Sequence, residues 1–377
     1  MTTKSRHFAR SISYDELIAG LREAQANQAV YCKTDLCGLE LWNYTQACTY
    51  EKKWTPFALV ARGLILDPTT RSVVATPFPK FFNLGENGEG MPDESFEVFE
   101  KLDGSLIILF NHQGTWRAVT RGAFGTAQAV WAERVMAAAE LSLLVPGTTY
   151  LAEAVYAENR IIVAYEEDAL VLLSAYDAQG HEVPFAELAA TGRAIGWRTA
   201  ERYAFDSAEA LVADARGLPE QREGYVVRFA SGLRLKLKGP AYCALHAIIA
   251  RVTPLGMWEL MRTEADLDDI RRRIPEELWA DFDAIRVLLG QKLEREIGIV
   301  ATFAREVESL SDREIGLMHG SIDRAVFGRI FAYRQNPDLM SDPRARDRLF
   351  RDIRPDGNVL EGYEPSYALT RIVGEAE

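Results

Sequence analysis

Lys101, Asp103 and Gly104 interrupt an apolar, strand-like run, "FEKLDGSLIILF", at residues 99–110. A lysine amine attacks phosphorus only when deprotonated, and at its ordinary pKa of about 10.4 it is almost wholly charged near neutrality. Burial or flanking cations lower that value, so a Lys101 poised for attack is expected to have a depressed pKa. A glycine three residues on, Gly104, lets the backbone turn sharply and approach a ligand. Read plainly, the same residues are a hairpin turn with Lys101 at a solvated strand end. Short motifs match often by chance, and taken alone the stretch favours that plain reading.

Other charged residues inside apolar runs reverse the balance. Lys236 and Lys238 stand two apart in "LRLKLKG", so a strand there points both to one face. Two such cations are costly in apolar surroundings and natural beside phosphates. Glu223 precedes "GYVVRF", Glu153 lies within "YLAEAVY", and Arg62 within "VARGLILD". A lone buried carboxylate needs a partner.

Taken in order, "EKLDGS", "YLAEAVYAENRIIVAY", "EGYVVRF" and "LRLKLKG" resemble the nucleotidyltransferase motifs of covalent ligases. The upstream "LWNYT", "ARGLILD" and "PFPKFFNLGE" resemble the phage T4-type RNA ligase 1 family in particular, and the resemblance spans about residues 30–246. It implies an ATP-dependent RNA ligase with Mg²⁺ (or Mn²⁺ as a substitute), working through lysyl-AMP on Lys101. It further implies that Lys236 and Lys238 contact the phosphates and that Arg62 and Lys80 add cations. Glu153 accepts from ribose, Glu223 helps hold the metal, Tyr44 lines the nucleotide pocket, and Gly104 lies against AMP. Arg121 occupies a basic position of the family, and Tyr242 and the metal position Asp268 are weaker correspondences. For Asp268 the plain reading, a solvated helix start, is the stronger one.

The implied partners are RNA 5′-phosphate and 3′-hydroxyl ends, nicked tRNA among them, with a separate kinase–phosphatase to prepare the ends. Leu106 stands where DNA ligases usually have an arginine. Helices follow the last motif where DNA ligases and capping guanylyltransferases have a β-barrel. Those enzymes are therefore the runners-up. A catalytically silent RNA-binding module is the rival from another class, and the intact set of buried charges speaks against it.

The elements that must position these residues read as α+β. Residues 14–26 form an opening helix, and from Val30 to about Lys238 short strands alternate with turns. These strands include "ALVARGLILD" and "RIIVAY", and helices are expected at about 125–141 and 184–195. Mostly antiparallel sheets with flanking helices are expected over 1–246, followed by an all-α domain over 247–377 that serves as the RNA or tRNA specificity element. There Leu278, Phe282, Ile285, Leu289, Leu293, Ile297 and Val300 mark one face of a long helix, and "SDRE" at 311–314 fits a capping box. The arginines at 271–273 and 344–354 could touch tRNA, although such runs are mostly solvated helix faces. Trp258 and Trp279 read as core.

The 377 residues suggest two domains. A formal net charge of −12 argues against coating nucleic acid by general positive charge, but not against a local cationic groove. Four cysteines and five histidines match no zinc spacing, so reduced thiols and structural histidines are expected. No membrane span or signal peptide is read, and the expected location is the cytoplasm of a bacterium or phage-infected host.

Overall fold

The computed structural model describes residues 6–86, 90–366 and 369. The chain forms two compact units, one ending at Ala244 and the other beginning at Leu245. In the first, helix Tyr14–Ala26 starts where the Ser13 side chain accepts from the Glu16 amide, and it buries Leu17, Leu21 and Ala24 on one face.

The first sheet is antiparallel, in the order β1 (Val30–Thr34), β2 (Glu40–Tyr44), β3 (Arg62–Asp67), β4 (Ser72–Ala75). The chain continues through β5 (Phe82–Asn83), β6 (Phe96–Lys101), β7 (Ser105–His112), β8 (Thr115–Thr120) and β9 (Thr149–Val155). It then forms β10 (Ala169–Tyr176), β11 (Arg202–Tyr203), β12 (Gly224–Phe229) and β13 (Arg234–Lys238). A second antiparallel sheet has the order β10-β9-β7-β8. The third, β11-β6-β12-β13-β5, is antiparallel except for β13 with β5.

Alternation along the strands sets the layers. Leu41, Ile65 and Ala75 of the first sheet meet Ile108, Phe110, Val119 and Leu151 of the second in one core cluster. In the third sheet Leu235 and Leu237 join Tyr225, Val227 and helix Ala208–Arg216 in another. Lys236 and Lys238 alternate with those leucines and share the opposite face.

The α+β architecture followed by helices agrees with the expectation, with local corrections. The expected strand "ALVARGLILD" is the end of helix Pro56–Val60 followed by β3. "RIIVAY" forms no strand, because the Ile162 and Val163 amides donate to the Asp103 carboxylate at 2.8 and 2.9 Å instead of to a neighbouring strand. The two expected helices are shorter, Ala127–Ala137 and Phe185–Ile195, and helices Gln46–Tyr50 and Ala208–Arg216 were not expected. The cysteines are free thiols.

The second unit is helical among its described residues. Helix Trp279–Glu306 buries Phe282, Ile285, Leu289 and Val300 along one face, and Ser311 and Glu314 form the expected capping box. Trp258 is core, whereas Trp279 is half-buried with the Arg271 guanidinium over its ring at 4.3 Å. Arg271 pairs with Asp283, and Arg272 and Arg273 with Asp269. Among the described residues no helix is long and apolar enough to cross a membrane.

Candidate active site

The register of three strands creates the site. Gly224 pairs with Lys101 of β6 on one side and with Lys238 of β13 on the other. Glu223, the residue before it, therefore falls between two lysines. Its buried carboxylate accepts from Lys101 Nζ through Oε2 at 2.6 Å and from Lys238 Nζ through Oε1 at 2.9 Å. Gly224 has φ +145°, and a Cβ there would lie 1.9 Å from the Leu237 carbonyl oxygen. No other residue lets the strand start where Glu223 needs it.

Burial pushes the Glu223 carboxyl up, but Lys101 and Lys238 outweigh it and hold the group below its ordinary range. Burial likewise pulls the Lys101 amine down, yet the Glu223, Glu153 and Asp103 carboxylates hold it above its ordinary value. This corrects the expectation of a depressed Lys101. Its neighbours are anionic, and the free protein keeps it protonated.

The depressed lysine is Lys236. Burial, followed by Arg62, Lys101, Lys80 and Lys238, drives its amine well below the ordinary value. Two of the cations lie against one aromatic ring. Lys236 Nζ and the Arg62 guanidinium lie 4.9 and 5.4 Å from the Phe81 ring. Arg121 donates to the Tyr44 hydroxyl at 2.7 Å. Burial raises that hydroxyl's pKa, but Arg121, Arg62 and Lys80 carry it below the usual value. Arg62 Nη1 is buried with no hydrogen-bond partner. A buried guanidinium nitrogen left open beside several cations suits a polyanion such as a nucleotide phosphate chain.

Glu153 stands on β9 opposite Leu106 and Val171, and its charge is felt by both Lys101 and Arg62. Gly104 is required on the side facing β9. It does not sit in the left-handed region, and a Cβ there would come within 2.4 Å of the Ala154 carbonyl oxygen. The chain here approaches β9 too closely for a side chain. Tyr242, in helix Pro240–Ile249, donates its hydroxyl to Asp103 Oδ1 at 2.7 Å, and Lys238 Nζ lies 5.4 Å from its ring. Asp268 belongs to the second unit, exposed in the first turn of helix Leu267–Arg273 and paired with Arg286 at 2.6 Å.

The sequence reading gave no role to Asp103, Trp54, Phe81 or Phe82. Asp103 accepts from Ile162, Val163 and Tyr242, which ties the turn after Lys101 to two distant segments. The aromatic residues show a faint local signal, since Phe81 and Phe82 directly follow Lys80.

For a divalent metal the donor chemistry fits in a limited way. Glu223 offers hard carboxylate oxygens, as Mg²⁺ requires. Among the described residues no group of three or more His, Cys, Asp or Glu side chains gathers to form a protein cage. One carboxylate beside a phosphate-binding cluster matches the way Mg²⁺ is shared between protein and substrate.

The model of the RNA ligase family matches residues 60–242. A putative bifunctional polynucleotide kinase/RNA ligase of Autographa californica nuclear polyhedrosis virus is 28% identical over 265 residues, covering 59% of this chain and 37% of that protein. A putative RNA ligase of Thermovibrio ammonificans is 28% identical over 209 residues, covering 51% of this chain and 54% of the other. The aligned regions thus span between about a third and about half of these relatives' lengths. Among solved structures, an archaeal ATP-dependent RNA ligase superposes with a TM-score of 0.49 at 15% identity, covering 74% of this chain and 83% of that one. Residues 60–242, just under half of the chain, match the RNA ligase family model, and they carry Arg62, Lys80, Lys101, Glu153, Glu223, Lys236 and Lys238.

Proposed function

We propose that the protein is an ATP-dependent RNA ligase that seals 5′-phosphate and 3′-hydroxyl ends through AMP carried on Lys101. The observation that carries this is the Lys101–Glu223–Lys238 bridge beside the cations Arg62, Lys80 and Lys236, within the region that matches RNA ligases. Lys101 Nζ loses a proton and attacks the α-phosphorus. A P–N bond forms, the P–O bond to pyrophosphate breaks, and pyrophosphate leaves.

Arg62, Lys80, Lys236 and Lys238 take up the charge that develops on the phosphate oxygens. Lys236, desolvated among cations, gains most from an incoming anion. Glu223 is the residue that would hold Mg²⁺, and bound Mg²⁺ would supply further neutralisation of phosphate charge. Tyr44 and Glu153 are the proposed contacts to base and ribose, and Arg121 orients Tyr44. An RNA 5′-phosphate oxygen then displaces Lys101 from phosphorus, giving AMP on the RNA end. A 3′-hydroxyl displaces AMP, and a phosphodiester forms.

The finer reading is repair of broken tRNA, with the second unit as the element that reads folded RNA by shape and phosphate contacts. The relative whose name joins a polynucleotide kinase to an RNA ligase supports end preparation by a kinase, here a separate partner. The proposed setting is the cytoplasm. The test is sealing of labelled RNA with 5′-phosphate and 3′-hydroxyl ends in Mg²⁺ and ATP, compared with the same DNA strand and with GTP. Sealing of RNA with ATP is expected. A preference for DNA, or product only with GTP, would contradict the reading.

A further inference from the structure

Lys80 is held in an unusual way. Its Nζ lies 5.5 Å from the Tyr44 ring, 5.5 Å from the Trp54 ring and 5.3 Å from the Phe82 ring. Trp54 is the middle ring of the three. It meets Tyr44 edge-to-face at 5.2 Å and 77°, and Phe82 at 5.4 Å and 75°. The backbone around Trp54 fixes Lys80 as well. Thr55 caps helix Pro56–Val60 directly after Trp54, and the Leu59 carbonyl of that helix accepts from the Lys80 amide at 2.7 Å.

A carboxylate beside Lys80 would hold the ammonium just as firmly, but it would cancel the charge a phosphate needs. Ring faces attract a cation through their quadrupole without adding a countercharge, and tryptophan does so best. We propose that Trp54 is a positioning residue that holds the Lys80 ammonium, for which no carboxylate partner stands among the described residues, for the phosphates of the nucleotide. This rests on the ligase reading and adds to it a residue outside the matched motifs and outside the residues 60–242 that carry the family match.

The test uses the full chain and follows transfer of label from α-labelled ATP to the protein. Trp54→Leu, Trp54→Phe, Lys80→Met and the Trp54→Leu/Lys80→Met pair are compared by kcat/KM for ATP. Trp54→Leu is expected to lose tenfold or more, and Trp54→Phe less than fivefold. In the Lys80→Met background Trp54→Leu is expected to add less than twofold, because contacting residues couple and independent ones add. An equal factor in both backgrounds, or no loss with Trp54→Leu, would overturn the proposal.

If Trp54→Leu does not fold by circular dichroism, Trp54→Phe decides. A loss of twofold or more that disappears with Lys80→Met supports the role, and no loss or an equal loss overturns it. Wild-type protein that takes no label would bring down the ligase reading and this role with it. Normal wild-type labelling without coupling would bring down this role alone.

Discussion

The Lys101 amine, the proposed nucleophile, donates to a buried oxygen of Glu223 at 2.6 Å, so the group that must lose a proton is tied to the group that favours keeping it. The other Glu223 oxygen is taken by Lys238. In the free protein the Lys101 proton is thus held in an ion pair that Lys238 shares, and attack requires that pair to be broken.

A pH dependence follows. Lys101 is held above its ordinary value in the free protein, so the attacking amine is the minor form near neutrality. The kcat/KM for self-labelling with ATP reports the free enzyme. It should climb about tenfold per pH unit between roughly pH 6.5 and 9, as expected for titration of one group. A plateau reached below pH 7 would contradict the description of Lys101.

The same bridge predicts how stability varies with pH. Glu223 is held below its ordinary 4.5, so its contribution is present above that value and lost as the pH falls through the folded one. Lys101 is raised above its ordinary 10.5, so its contribution is present below 10.5 and lost as the pH rises through its folded value. Glu223→Gln should destabilise by roughly 1.5–3 kcal/mol between about pH 5 and 10, the range for a hydrogen bond to a charged group. Urea unfolding of both proteins across pH checks this, and the difference should shrink in acid.

Gly104→Ala tests the turn. Its Cβ would press on the Ala154 carbonyl at 2.4 Å, and that atom is backbone in β9. The expected loss of stability is about 1–3 kcal/mol, the usual cost of overpacking, read by denaturant midpoint. An unchanged midpoint would show that the turn yields freely.

Lys236→Met separates function from stability. The side chain is desolvated among four cations, and its removal relieves repulsion. The melting temperature should hold or rise, by about 2–4 °C for each kcal/mol relieved. Self-labelling should fall by about 10²–10³-fold, as for loss of one transition-state donor. A destabilised variant would contradict the electrostatic account.

What the sequence made legible was mostly local. Helix Tyr14–Ala26 and the Ser311–Glu314 capping box carry their signals within a few residues. The common face of Lys236 and Lys238 follows from strand alternation. Helices Pro56–Val60 and Ala208–Arg216 also carried signals, the caps Thr55 and Ser207 and a proline at the first turn of the former. Their apolar residues merged with neighbouring strands and hid them. "RIIVAY" could not be read, because its backbone partner is Asp103, some 60 positions away. Nor could the raised pKa of Lys101, which depends on Glu223 and Glu153 meeting it across strands distant in sequence.

The central claim is a covalent bond between Lys101 and AMP. Protein incubated with ATP and Mg²⁺, freed of nucleotide and digested at neutral to alkaline pH, should yield a peptide containing Lys101 that is heavier by one AMP moiety. Fragmentation should place that mass on Lys101, and Lys101→Arg should abolish it while retaining a wild-type melting temperature. An AMP adduct at another lysine, or an adduct that persists in the Lys101→Arg protein, would contradict the account.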